Sequence, residues 1–134
     1  DHGTTSLRAC YLRLGSGSDT HVQSESHIRI PIETKSGAFN NLGFTTDWLE
    51  IDRHPTSEVK FQGKSIPAYD NCVKLVTNLH KRVPYTRCIG WDLTVDNMQR
   101  VRIMEWNREH HDIKFSYATQ GPSFADLHWE RLKD

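Results

Sequence analysis

The chain has 134 residues, with 17 basic side chains balanced by 17 acidic ones and a mean hydropathy of −0.67. That length fits one domain with its own core, and a hydrophobic content of only 36% points to a thin one. A net charge of zero excludes the broad basic field that drives nucleic-acid or membrane-surface binding, and no apolar run approaches the length of a membrane span.

Three cysteines, Cys10, Cys72 and Cys88, are an odd number without metal-ligand spacing, which predicts a reduced, cytoplasmic setting. No signal-peptide pattern is present. The chain starts Asp1-His2-Gly3 without a methionine, as expected of a mature terminus or of one piece of a longer protein.

In chain order, "LRACYLRLG" (7–15) and "HIRIPI" (27–32) are rich in strand formers and flank the turn residues "GSGSDT", so 7–32 reads as a long hairpin. Pro31 suits an edge position or a strand end. "TKSGAFNNLG" (34–43) reads as loop, with Gly37 and Gly43 supplying backbone freedom. "DWLEID" and "EVKFQG" read as two shorter strands around the turn "RHPTS". A helix is predicted from about Pro67, because Ala68, Cys72, Leu75, Val76 and Leu79 fall on one face at the 3.6-residue period. Pro67 suits its first turn and Pro84 marks its stop. A hairpin over 88–107 follows, then the polar loop "NREHHDIKF" (107–115). The final segment, "SFADLHWERLKD" (123–134), has Phe124, Leu127 and Leu132 on a plausible apolar side of a short helix. The order β-β-β-β-α-β-β-α predicts an α+β fold with a mainly antiparallel sheet, one long helix and one short one. No repeat or linker divides it, so residues 1–134 are expected to form a single domain.

The hairpin "CIGWDLTVDNMQRVRIMEWN" (88–107) carries two acids where apolar residues would make better strands. Asp96 and Asn97 supply turn chemistry. A two-residue loop at Asn97-Met98 would pair Asp92 with Ile103 and Gly90 with Glu105. Asp92, Ile103, Glu105 and Asn107 would then share one face. Two more loop residues would set Asp92 directly against Glu105; a slip of one would separate the acids. Trp91, Leu93, Val95, Met104 and Trp106 would take the other face and pack on the helix. Two carboxylates and an amide oxygen in reach of one point form a hard-oxygen set of the kind Mg²⁺ accepts. One face of an antiparallel sheet is commonly wet, so spacing alone leaves a plain solvated face as the simpler reading.

The pattern as a whole resembles the metal-binding hairpin of ATP-grasp enzymes, in which a strand Asp is followed about a dozen residues later by Glu-x-Asn. Asp92, Glu105 and Asn107 match it position by position. Upstream, "TTSLRACYLRL" resembles the strand carrying an arginine near the transferred phosphate, here Arg8. "SHIRI" places Arg29 on the next strand, and "GAFNNLG" resembles the loop with an Asn before a glycine, best matched by Asn41. "IGWDLTVDNMQRVRIMEWNREHHDI" is closest to the sugar-transfer-associated ATP-grasp group; ribosomal-protein glutamate ligases share the pattern more distantly.

The resemblance implies the C-terminal catalytic lobe of an ATP-grasp fold, with both helices packed on one face of the sheet. It implies Mg²⁺ held by Asp92, Glu105 and Asn107, and ATP phosphates contacted by Arg8, Arg29 and Asn41. The implied reaction is ATP-dependent activation of a carboxylate, with Arg8 and Arg29 as the catalytic cations and an unidentified carboxylate as substrate. Nothing in the chain resembles the preceding lobe, whose glycine-rich loop and lysines clamp the nucleotide. Gly90 stands where some peptide-forming relatives carry an arginine, which argues against peptide-type ligation.

Activity therefore requires completion by that lobe. The competing expectation is a non-catalytic binding or self-assembly module on the same scaffold, forming a homo-oligomer through an exposed sheet edge or apolar patch. Other candidates are weaker. "LGSGSD" lacks the Gly-Lys-Ser/Thr ending of a P-loop and reads as a hairpin turn. "EHHD" (109–112) lacks zinc-site spacing and reads as a surface loop; the resemblance sets that loop beside the metal hairpin, which implies that His110 or His111 could face a substrate. No cysteine has an activating context, and Trp91 and Trp106 read as core rather than a base-stacking platform.

Overall fold

The structure is a computed structural model, and it describes residues 4–15, 17, 27–109 and 112–128. The described residues form an α+β structure with two antiparallel sheets and two helices. The backbone forms two compact units, 9–66 and the remainder, Asp1–Arg8 with Pro67–Asp134.

The 9–66 unit holds a four-stranded sheet in the order β1-β2-β3-β4, from β1 (Tyr11–Leu14), β2 (Ile28–Pro31), β3 (Gly43–Phe44) and β4 (Glu50–Ile51). The predicted first hairpin is there, with Tyr11 opposite Pro31 and Leu14 opposite Ile28. Pro31 ends its strand, where its missing N–H leaves no ladder bond unmade. Ile28, Ile30, Ile32 and Phe61 are almost wholly buried and form the core of this unit. The expected third and fourth strands lie further upstream than their sequence suggests: β3 begins inside the stretch read as loop, and "EVKFQG" contributes only an isolated bridge between Arg53 and Lys60. Gly43 explains the shift. A Cβ there would come within 2.9 Å of the Phe61 ring and 3.1 Å of Ile30, so this glycine serves close packing of a strand rather than loop freedom. Around the first hairpin turn, His54 Nε2 donates to the Gly15 carbonyl (2.8 Å) and Gly17 N–H donates to Thr56 Oγ1 (2.9 Å). Most of "GSGSDT" lies outside the described residues.

The other unit contains α1 (Tyr69–His80), β5 (Gly90–Val95), β6 (Val101–Asn107), α2 (Ile113–Gln120) and a 3₁₀ turn (Ala125–Leu127). Helix α1 buries Tyr69, Cys72 and Val76, in line with the predicted stripe. Asp70 in its first turn and His80 in its last suit the helix dipole. His80 Nε2 then donates to the Thr86 carbonyl (2.8 Å), tying down the chain beyond the helix end.

The second helix is not where the sequence predicts it. It spans Ile113–Gln120, starting within the stretch read as polar loop (107–115) and running past its end, and the described part of 123–134 forms only the 3₁₀ turn; Leu132 lies outside the described residues. Ile113, Phe115 and Tyr117 alternate with polar residues, a strand-like period that hides the helix. Burial of Phe115, fully enclosed, and Ser116 at 1% exposure decides the matter. Among the described residues no helix is long and apolar enough to cross a membrane.

Candidate functional site

Strands β5 and β6 pair antiparallel, and their turn is three residues long. Asp96 N–H donates to the Arg100 carbonyl (3.1 Å) and Gln99 N–H to the Asp96 carbonyl (2.9 Å). Gln99 takes the left-handed conformation (φ 59°) that closes three-residue hairpin loops. The Asp96 carboxylate organises the loop, accepting from the N–H groups of Met98 (3.0 Å) and Arg100 (2.9 Å) and from Arg100 Nε (2.8 Å). The Arg100 N–H and guanidinium, with the Met98 N–H and the Arg102 charge, hold the Asp96 carboxyl below the usual carboxylate range against partial desolvation. Asp96 is thereby committed to the turn.

Beyond the turn, Val95 faces Val101, Thr94 faces Arg102 and Leu93 faces Ile103. Continued unchanged, this register would set Asp92 against Met104 and turn Glu105 to the opposite face. It is the one-residue slip that separates the acids. A β-bulge between Asp92 and Leu93 breaks the ladder: Met104 becomes an extra residue, and Asp92 faces Glu105, Trp91 faces Trp106, and Gly90 faces Asn107. Bulges re-aim side chains in this way and are frequent beside functional sites.

Three details of the expected pairing change as a result. Ile103 joins the Trp91 face, Met104 leaves the ladder, and Gly90 faces Asn107 instead of Glu105. Trp91 and Trp106 stack with centroids 6.1 Å apart. That face is less covered on β6 than expected of a packed one, with Ile103 41% and Trp106 50% exposed, and the unpaired Met104 is 69% exposed.

Directly opposed residues have Cβ atoms about 4.5–5.5 Å apart, so Asp92 and Glu105 stand side by side on one face of the hairpin. Asn107 Nδ2 donates to Glu105 Oε1 at 2.9 Å, which draws the amide into the same cluster and leaves its oxygen for a hard cation. Asp92 and Asn107 are half-buried and Glu105 is exposed. Two carboxylates and one amide oxygen are too few for a closed protein cage; with water and phosphate completing the shell they fit Mg²⁺. Among the described residues no group of three His, Cys, Asp or Glu side chains is placed to hold a metal ion. In "EHHD", Glu109 pairs with Arg108 (3.0 Å) and Asp112 precedes α2; His110 and His111 lie outside the described residues.

The cations are placed as follows. Arg8 precedes β1 rather than lying on a strand. Its Nη1 binds both oxygens of Asp126 (2.7 and 2.9 Å), and its guanidinium lies 5.9 Å from the Phe124 ring. That ion pair holds the Asp126 carboxyl below its ordinary range. In the 9–66 unit, Arg29 sits in β2 and is buried, and Asn41 is exposed in a bend before β3. The sequence reading missed two features: the Met104 bulge and the contact of Trp48 with Arg29. Burial raises the thiol pKa values of Cys72 and Cys88, which makes them poor nucleophiles. The described residues include all three cysteines, and no disulfide joins them.

The family model of sugar-transfer associated ATP-grasp proteins matches residues 5–127. The chain belongs to the sugar-transfer associated ATP-grasp family. Comparison with curated proteins and with solved structures gave no significant match. The matched span includes Arg8, Arg29, Asn41, Asp92, Glu105 and Asn107, so the hairpin and the upstream cations all fall within the family's extent.

Proposed function

We propose that this chain supplies the metal and phosphate side of an ATP-grasp ligase-like protein, with its two units taken together as one C-terminal-type domain. The observation that carries this reading is the bulged register setting Asp92 against Glu105, with Asn107 hydrogen-bonded to Glu105. A bulge that brings two like charges together opposes stability, and cation binding gives it a purpose. Asp92, Glu105 and Asn107 would hold Mg²⁺, which supplies neutralisation of charge on ATP phosphates. Arg29, and Arg8 after exchanging the Asp126 carboxylate for phosphate, would stabilise charge on the transferred group, since guanidinium matches phosphate geometry. For Arg8, Arg29 and Asn41 the support is the family pattern. In the family's chemistry the γ-phosphoryl group passes to a substrate carboxylate oxygen, and a nucleophile then displaces phosphate. This chain's part is positioning and electrostatics, and turnover requires a nucleotide-clamping lobe. A reducing cytoplasm suits three cysteines without a disulfide.

Calorimetric titration with Mg-ATP tests the proposal. Binding that is abolished by Glu105→Gln supports it, and a folded sample that takes up no heat at millimolar nucleotide refutes a working phosphate site. The exposed Ile103, Met104 and Trp106 on β6 favour a second reading, self-association through an edge strand. Sedimentation velocity showing one monomeric species across concentrations would eliminate that alternative.

A further inference from the structure

Strand β6 belongs to a two-stranded sheet: β5 pairs along one side, and among the described residues no strand pairs along the other. A hairpin of two strands is marginal by itself and gains stability from a third. Residues Arg102 to Trp106 are all exposed, among them the apolar Ile103, Met104 and Trp106. Charged side chains and bulges on a free edge guard against indiscriminate pairing. β6 carries both, and their arrangement leaves one pairing open.

The bulge changes which residues share a face. In a regular strand two residues three apart point to opposite faces. Here Arg102 faces Thr94 and Glu105 faces Asp92, and Thr94 and Asp92 lie two apart on β5, hence on one face. Arg102 and Glu105 therefore share a face, although Ile103 and Met104 separate them. Val101, opposite Val95, and Trp106, opposite Trp91, share the other face in the same way.

We propose that β6 pairs antiparallel with β6 of a second copy of this chain, about a two-fold axis between Ile103 and Met104. In this register Arg102 of each copy faces Glu105 of the other, and Val101 faces Trp106. Opposed residues of a sheet share a face, so without the bulge neither pairing could form. The result is a four-stranded sheet across the dimer, with two ion pairs on one face and two apolar contacts on the other. The strand carries both charges of the pair, placed symmetrically about the axis. It is complementary to itself, as a two-fold interface requires.

Both charged groups can make the contact. Glu105 accepts from Asn107 Nδ2 through Oε1 (2.9 Å), and a carboxylate takes more than one donor. Arg102 Nε lies 3.7 Å from Asp96 Oδ2, beyond hydrogen-bond length, and its side chain is 59% exposed. Other registers are opposed by charge. An axis through Arg102 sets the two guanidinium groups against each other, and an axis through Glu105 does the same to the two carboxylates. An axis between Met104 and Glu105 faces Arg102 with Asn107 and forfeits both ion pairs. The proposal rests on the self-association reading and is independent of a working phosphate site.

Sedimentation velocity of the full chain tests it, comparing wild type, Arg102→Glu, Glu105→Arg and an equimolar mixture of the two variants. Circular dichroism checks that each variant is folded, as expected of changes at exposed positions. Wild type should form a dimer as concentration rises, more weakly in high salt. Each variant alone sets like charges against each other at both pairs and should associate about tenfold more weakly. In the mixture both pairs again join opposite charges, and dimer should return to near the wild-type level. A single variant that dimerises as well as wild type overturns this register and leaves self-association through another surface. A mixture of folded variants that associates no better than either alone overturns the pairing of Arg102 with Glu105. A wild type that stays monomeric across concentrations overturns self-association and the register together.

Discussion

Replacing Glu105 with Gln separates what the acidic pair does for the fold from what it does for a cation. Asp92 and Glu105 are directly opposed across β5 and β6. At about 5 Å, two like charges repel by roughly 0.8 kcal/mol at the dielectric of water. Screening at physiological salt, with a Debye length of about 8 Å, lowers this to about 0.5 kcal/mol. Gln keeps the oxygen that accepts from Asn107 Nδ2, so that hydrogen bond survives the change. Without divalent cation, Glu105→Gln is therefore expected to be more stable than wild type by about 0.5 kcal/mol, and the difference should shrink in high salt. With Mg²⁺ the order reverses. A site with a dissociation constant of about 1 mM stabilises the wild type by roughly 1.4 kcal/mol at about 10 mM Mg²⁺, and the variant loses that gain. Urea melts of both proteins, with and without Mg²⁺ at matched ionic strength, read the crossing directly. If wild type is already the more stable without Mg²⁺, or Mg²⁺ leaves the order as it was, the pair is not a cation site held together against its own repulsion.

Deleting Met104, which is 69% exposed and is the extra residue of the bulge, should restore a regular ladder with Asp92 still opposite Glu105; Mg²⁺-dependent stabilisation is expected to survive, and its loss would show that the bulge does more than set register. Gly43→Ala places a Cβ within 2.9 Å of the buried Phe61 ring and should destabilise the chain by about 1–3 kcal/mol in urea melts. Asp126 has its carboxyl pKa lowered, chiefly by its hydrogen bond with Arg8. A lowered folded-state pKa gives stability that is present above the unfolded carboxylate value and lost as pH falls through the folded one. Asp126→Asn should therefore be the less stable protein at neutral pH, and thermal melts of the two should converge in acid.

Much of the architecture is legible in residue order because strong local signals agree with burial. The α1 stripe of Cys72 and Val76 is buried as its period implies, and the β1–β2 hairpin follows from its strand formers. The misplaced elements are those where local pattern and tertiary packing conflict. "IKFSYATQ" alternates like a strand, yet enclosing Phe115 draws it into a helix. Gly43 looks like loop punctuation and is a packing glycine in β3. Trp48 gives no sign in sequence of a left-handed backbone, because nothing local favours an indole there; its contact with Arg29 needs three strands brought together first.

The acidic hairpin shows where such inference stops. Three residues separate Asp92 from Asp96, and four separate Arg100 from Glu105. That mismatch means a bulge is needed to face the acids, but only once Asp96 and Arg100 are known to close the loop. A two-residue loop at Asn97-Met98 is equally compatible with residue types, and it would bring the acids only to a diagonal. What decides between them is the Asp96 carboxylate, which accepts from the Met98 and Arg100 N–H groups at 3.0 and 2.9 Å. Those bonds fix a three-residue loop with odd register, and the odd register must be corrected before Glu105 can face Asp92. Asp96 and Met104 therefore act as a pair: the first sets the register that would part the acids, and the second shifts it by the one residue that reunites them.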